Sequence, residues 1–403
     1  MEPAVKESAL ESLRRGEPPL DREALEAITV GRQDGIWNFW QARYLEDYIA
    51  DGGSKIKFFI GKPGSGKTHA LLLMMEEARR LGYVTVYLDA RQVRLNKFDS
   101  IYQAVFEEVD MQAVVAVYCG TVLERLGCQA GQISSGQGMG NDGHTANALR
   151  LEVQENLDTL YHNRKINNNF AMAFTQLCSD YLGLRYLHTE QRDILTGWLK
   201  GRSLPAKVLK PLRIFTKIDK YNARNMMASF LALLRLCGYR GLCLAVDNLN
   251  ALLERGPLGR ALYGKSARNE VYESLRQLVD DFAGFEGAFF VFAGRPELIQ
   301  DEKTGFKSYE ALWMRIQNEV AGLRPNKFAD LFNQDNLIKE IFTVETCLEL
   351  QERLNDFFAL DSRLQREDLR CLVDTVSMFS PVRRVIEAIV GEYGAGGDRG
   401  GAI

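Results

Sequence analysis

The sequence predicts an α/β fold built on a parallel sheet, and three observations predict it. Four short runs, KIKFFI (55–60), VTVYLDA (84–90), GLCLAVD (241–247) and GAFFVFAG (287–294), are almost continuously apolar and rich in β-branched or aromatic residues. That is the pattern of strands covered on both faces. Long segments of helical periodicity separate them, as crossovers between parallel strands require. The first run passes through Gly61-Lys62-Pro63-Gly64-Ser65-Gly66-Lys67-Thr68 into ALLLMMEEARR, a strand, a glycine-rich turn and an amphipathic helix in succession.

The elements follow in order. Residues 1–35 form a helical leader, in which ALESLRRGEPP (9–19) keeps helical spacing and stops at Gly16 and the Pro18-Pro19 pair. A second helix starts near Asp34, carries IWNFWQARYLEDYIA and ends at Gly52-Gly53. The sheet core spans residues 36–334. It is opened by a helical insertion at about 98–236, itself interrupted by QAGQISSGQGMGNDGHT (129–145), a Gly/Ser/Gln-rich stretch that reads as a mobile loop. Residues 265–283 are helical. Residues 335–393 predict three helices forming a C-terminal lid, the last starting at Pro381. GAGGDRGGAI (394–403) reads as a disordered tail.

Composition excludes several classes. Lys plus Arg number 50 and Asp plus Glu 53, a net charge of −3. A protein that coats DNA through overall basicity is excluded, although a local basic face is not. No run approaches 18 consecutive apolar residues, so no transmembrane helix is expected. The charged first residues lack the apolar core of a secretory signal. The seven cysteines are scattered without a CxxC pair, which predicts reduced thiols, a cytoplasmic setting and no structural zinc.

Residues Gly61–Thr68 fit the phosphate-binding pattern G-x-x-x-x-G-K-[ST] in full. The glycines let backbone N–H groups turn toward anionic oxygens, and the following helix presents its N-terminus to the same charge. Lys67 is placed for the β- and γ-phosphates of ATP and Thr68 for Mg²⁺. A triphosphatase needs a second carboxylate at the end of a neighbouring strand, and Asp247 fits; the alternative is a strand-end turn Asp. Many such enzymes carry a Glu directly after it as base for the attacking water. Here the residue is Asn248, whose amide can hold a water but cannot take its proton. Glu254 is the substitute candidate. The strand FFVFAG after Asp247 is the kind of element that, inserted between the phosphate-loop strand and the acidic strand, marks the additional-strand class. That class includes AAA+ and RecA-like proteins. Its sensor position would fall at Arg295, after Gly294.

Arginines and lysines supply the remaining candidates. Arg315, in YEALWMRI (309–316), lies where an oligomeric ATPase can place an arginine on the neighbouring subunit's γ-phosphate, which implies a homo-oligomer. Arg383 and Arg384 follow Ser380-Pro381 at a helix start, where one of them can fold back on the nucleotide as a second sensor. For all three the alternative is a solvated helix face. Residues 200–224 carry Lys200, Arg202, Lys207, Lys210, Arg213, Lys217, Lys220 and Arg224 against Asp219 alone. That face suits DNA or RNA phosphates, an acidic protein partner, or plain solvation. His69 packs rather than catalyses; the other histidines have no partners at metal spacing.

Taken together, the sequence resembles the ATP-binding proteins of bacterial BREX phage-defence systems. The likeness runs from about residue 8 to 390. It rests on ALESLRRGEPP, TVGRQ (29–33), GGSKIKFFIGKPGSGKTH, ILTGWLKGRSLP (194–205), LCGYRGLCLAVDN, FFVFAGRPEL and YEALWMRI. The resemblance implies an AAA+-like ATPase of the Orc/Cdc6-like kind with a helical insertion and a lid. It would act in defence on or near DNA with partner proteins. It carries nucleotide and Mg²⁺ binding onto Gly61–Thr68 and Asp247, and departs from this chain at Asn248 and Arg295. Two functions remain open: an ATPase coupling nucleotide state to DNA or partner engagement, and an ATP-binding regulatory or scaffold subunit with little hydrolysis. A nucleotide kinase is disfavoured, since no acceptor pocket is legible.

Overall fold

The four apolar runs become strands, and a fifth joins them. The computed structural model describes residues 3–31, 36–128, 143–256, 258–317 and 327–395. Its strands are β1 (Ser54–Ile60), β2 (Tyr83–Asp89), β3 (Gly241–Asp247), β4 (Ala288–Gly294) and β5 (Leu331–Asn333). They form one sheet in the order β2-β3-β4-β1-β5, every pair parallel. β4 lies between β1 and β3, its Ala288 level with both Ser54 and Leu242. β5 has three residues, too few for a period-two pattern, so the sequence does not reveal it. The loop 129–145 and the tail 394–403 lie largely outside the described residues.

Alternation along each strand separates two cores. Phe58, Ile60, Leu244, Val246, Phe290 and Phe292 face the insertion and are fully buried. The insertion's helices include Phe98–Glu108, Met111–Arg125, Gly143–His162, Asn168–Tyr181, Thr189–Leu199 and Ala223–Leu236. Their Phe106, Tyr118, Phe174, Trp198 and Phe230 continue the same apolar cluster without a break. The insertion is therefore welded to the sheet rather than tethered to it. Phe59, Cys243, Ala245, Phe289 and Val291 face the other side, against Trp40, Tyr44, Leu71 and Met74. Trp40 anchors that layer, its ring 5.4 Å from Phe59 and 5.9 Å from Phe289, both edge-on. The helix that carries it begins at Ile36 and widens to π-helical turns over Gln41–Tyr48.

A third core joins the two ends of the chain. The leader helices Pro3–Arg14 and Arg22–Ala27 bury Leu13 and pack near Ile28 against the lid's Leu350, Leu354, Val385 and Ile389. The lid has four helices, not three: Gln334–Ile341, Val344–Phe358, Arg366–Asp374 and Pro381–Ala395. Thr343 separates the second from the first, capping it by accepting from Thr346 N at 3.4 Å. Leader and lid thus form one lobe over the strand ends.

A buried lysine fixes the sheet edge. Lys57 Nζ, fully enclosed within β1, donates to Phe328 O and Ala329 O at 2.6 and 2.7 Å. These bonds hold the segment that leads into β5.

Candidate functional site

Parallel sheets gather their ligand sites at the carboxyl ends of the strands. Here β1 and β4 end level, Ile60 with Gly294, and β2 and β3 end level, Asp89 with Asp247. The loop after β1 turns twice through left-handed backbone, at Gly64 (φ 75°) and Gly66 (φ 81°), where any side chain is strained. Gly66 then starts the helix Lys67–Arg80, whose free N–H groups face the loop.

Lys67 Nζ donates to Gly61 O at 2.7 Å and Lys62 O at 2.9 Å. Burial pushes its pKa down to about 8, with Asp247 and Asp335 opposing the shift. Thr68 Oγ1 donates to Asp247 Oδ2 at 2.6 Å, across 179 positions of sequence. Tyr87 OH donates to the same oxygen at 3.0 Å, and Asn248 N donates to Oδ1 at 2.7 Å. Burial and the neighbouring Asp247 push the Tyr87 phenol up, so it stays a donor. Thr68 and Asp247 are adjacent hard oxygens of the type Mg²⁺ takes, and the residues fit that ion.

Asn248 adopts left-handed backbone, φ 58°, which asparagine tolerates better than most residues. Its Nδ2 donates to Asp89 Oδ2 at 3.0 Å. Sequence reasoning passed over Asp89, although a second strand ending in Asp was the available signal. Glu254, the substitute base, is already engaged. It receives Arg91 Nη2 at 3.1 Å and Nε at 3.3 Å, and Asn250 Nδ2 at 2.5 Å. Burial disfavours its charge, but these partners outweigh that and hold its pKa below the usual carboxylate value. Arg295 stands 4.0 Å from Glu254, at the end of β4.

The C-terminal helices contact the loop through several bonds. Asp335 accepts from Lys62 N at 3.0 and 3.1 Å. Ser380 N donates to Pro63 O at 3.0 Å, and Lys62 Nζ donates to Ser377 O at 3.0 Å. Arg383 packs so closely on Gly64 that a β-carbon there would lie 2.2 Å from its own. Its guanidinium pairs with Glu387 at 2.6 Å and lies over Phe379. Arg384 turns away, donating to Thr375 O at 2.8 Å. Of the two, Arg383 is the one at the loop. A cavity of about 130 Å³ opens beside Gly64–Thr68, walled by Leu13, Pro18 and Ile28 of the leader and Val382 and Ile386 of the lid. His69 joins leader to loop helix: its Nε2 is 3.1 Å from both Thr29 Oγ1 and Leu25 O, and burial lowers its pKa.

The other candidates lie elsewhere. Arg315 is paired with Asp280 of the helix Lys265–Asp281 and donates to Ala311 O at 2.6 Å. The basic stretch divides. Lys200 and Arg202 both hold Glu107 at 3.0 Å, and Arg224 holds Asp281 at 3.0 Å. Lys207, Lys210, Arg213, Lys217 and Lys220 are exposed and form no ion pair among the described residues, with Phe215 and Tyr221 exposed between them. No helix among the described residues is long and apolar enough to cross a membrane.

No curated protein and no solved structure matches the chain. The family model described as BREX system ATP-binding protein BrxC/D matches residues 1–396. That span takes in the leader, the loop, the insertion and the lid, and the chain belongs to this family.

Proposed function

We propose that the chain is a Mg²⁺-dependent ATPase of the AAA+-like, additional-strand type that couples nucleotide state to DNA or partner engagement in phage defence. The observation that carries this reading is the 2.6 Å bond between Thr68 and Asp247. It brings the loop's metal-binding hydroxyl to the acidic strand, and the position of β4 between β1 and β3 supports the class. Lys67 and the loop amides would take the phosphates, Thr68 and Asp247 the Mg²⁺, and the leader–lid cavity the base. Arg383 is the second sensor in this reading. Thr68 and Asp247 would hold Mg²⁺, which would supply positive charge against the phosphates. Arg295 at the end of β4 would read the γ-phosphate.

The exposed Lys207–Lys220 segment is the proposed DNA contact, directed at phosphates, with Phe215 exposed for stacking and Tyr221 lying under Lys220. Arg315 acts across a homo-oligomer interface only if it leaves Asp280. A cytoplasmic location accords with this role. A second reading, a regulatory ATP-binding subunit with little hydrolysis, is favoured by Asn248 standing where the usual glutamate would be.

The test is ATP binding and turnover of the full chain, with Mg²⁺ or EDTA and with or without duplex DNA. Saturable binding lost in Lys67→Ala, with turnover above that control, supports the ATPase. Binding without turnover selects the regulatory subunit. DNA affinity that falls with salt and is reduced in Lys207→Ala/Lys210→Ala/Lys217→Ala supports the basic contact; unchanged affinity removes it.

A further inference from the structure

A hydrolytic reading leaves one chemical role unfilled. The residue after Asp247 is an amide, so the attacking water has no base at the usual position. Besides Asp335, which is held by Lys62 N, four carboxylates stand near the strand ends: Asp247, Glu254, Glu297 and Asp89. Asp247 already accepts from Thr68, Tyr87 and the Asn248 amide, and its place is beside the metal. Glu254 is clamped by Arg91 and Asn250. Glu297 is exposed in the short helix after β4. Asp89 differs from all three. It ends β2 in register with Asp247, so it sits one strand over, on the same carboxyl edge of the sheet. Its Oδ1 accepts Arg91 N at 2.8 Å, which fixes the carboxylate's orientation. Its Oδ2 accepts Asn248 Nδ2 at 3.0 Å and keeps a lone pair free, because each carboxylate oxygen has two. Asn248 makes this contact from left-handed backbone, φ 58°.

We propose that Asp89 is the catalytic base, with Asn248 as the positioning residue that holds both Asp89 and the attacking water. The proposal rests on the ATPase reading above. The carboxylate role that many related enzymes place on the acidic strand is here moved to the neighbouring strand, and the amide at 248 links the two. In the step, Asp89 removes one proton from water. The water oxygen forms a bond to the γ-phosphorus as the bond from that phosphorus to the β,γ-bridging oxygen breaks. ADP leaves with that electron pair, and the proton on Asp89 passes to solvent. No oxidant or further reactant is involved.

The experiment measures γ-phosphate release from limiting ATP by the full chain with Mg²⁺, with and without duplex DNA. Binding of a fluorescent ATP analogue and the melting temperature are followed in parallel. Asp89→Asn is expected to lower release at least 100-fold, in the range of general-base losses, with analogue affinity within threefold of wild type. Asp89→Ala is expected to regain release on addition of formate, which replaces the lost carboxylate, whereas Lys67→Ala is not rescued. Glu297→Gln is expected to keep the wild-type rate. Should Asp89→Asn not fold, Asn248→Ala carries the same test. It leaves the carboxylate in place and is expected to slow release about tenfold with binding retained.

Asp89→Asn at the wild-type rate overturns the base assignment and leaves the ATPase reading standing. A folded, ATP-binding Asp89→Ala that formate does not rescue overturns proton transfer by Asp89. Loss in Glu297→Gln with retention in Asp89→Asn overturns it in favour of Glu297. Wild-type release no faster than Lys67→Ala overturns the ATPase reading, and the base with it.

Discussion

Replacing Asn248 by glutamate installs the acid that many related enzymes carry, and the structure predicts a worse protein. Three effects add. Residue 248 has φ 58°, and a left-handed backbone costs a residue such as glutamate about 1 kcal/mol. The amide bond to Asp89 at 3.0 Å is lost, about 1.5–3 kcal/mol for a hydrogen bond to a charged group. A second carboxylate then faces Asp89. Like charges near 4 Å repel by about 4 kcal/mol at an effective dielectric of 20. Asp89 is half-buried, so screening leaves roughly 1–2 kcal/mol of that repulsion. The sum is about 3.5–6 kcal/mol, large beside ordinary stability. Denaturant unfolding and ATP turnover are measured for three variants. Asn248→Gly removes the amide bond without backbone strain, and Asn248→Asp keeps the left-handed preference while reversing the interaction. Asn248→Glu carries all three effects. The expected order of stability is wild type, then Gly, then Asp, then Glu, with turnover reduced in each. A Glu variant that matches wild-type stability and turns over ATP faster would refute the argument.

Other outcomes follow from the same geometry. Gly64→Ala combines φ 75° with a 2.2 Å approach to Arg383 Cβ, and is expected to lose about 2–4 kcal/mol from backbone strain and overpacking. Adding Arg383→Gly removes the colliding carbon, so a double-mutant cycle in thermal unfolding should show recovery of the overlap part. Arg383→Ala should weaken ATP binding about 10–100-fold, the loss of one charge-assisted bond, while Arg384→Ala, at a residue whose guanidinium donates to Thr375 O, should leave calorimetric affinity nearly unchanged. Burial pushes the Lys57 pKa down to about 7, Lys55 adding to the shift and Asp330 opposing it. The unfolded chain therefore binds more protons between about pH 7 and 10.5, and Lys57's contribution to stability rises with pH across that window. Its two carbonyl bonds limit the gain to about 1–2 kcal/mol between pH 7 and 9. Lys57→Met should be less stable, with the slope from this residue gone, as melts at the two pH values would show.

The local pattern of residues was enough for part of this protein. Four strands were legible as short runs rich in apolar, β-branched and aromatic residues between helical segments, although Lys55 and Lys57 interrupt β1 and the edge strand β2 is half-buried along its length. The glycine loop was legible because its signature residues, with Lys67 and Thr68, lie in one contiguous segment. Asp247 stood out as a carboxylate closing an apolar strand behind the glycine loop, a signal that Asp89 shares, and helical spacing marked 98–236. What tertiary structure alone decided depends on contacts between distant segments. β5 is three residues long and exists by pairing with β1. Leader and lid share a core although they lie at opposite ends of the chain. Arg383 was separated from Arg384 by which side of a helix meets Gly64, and Lys200, Arg202 and Arg224 left the free basic face by finding Glu107 and Asp281. Asp89 became a candidate only when strand order set it beside Asp247. A spacing rule sees residues that act together along the chain. It is blind to a sheet that sets positions 89 and 247 side by side, because that register is fixed by the packing of every strand at once.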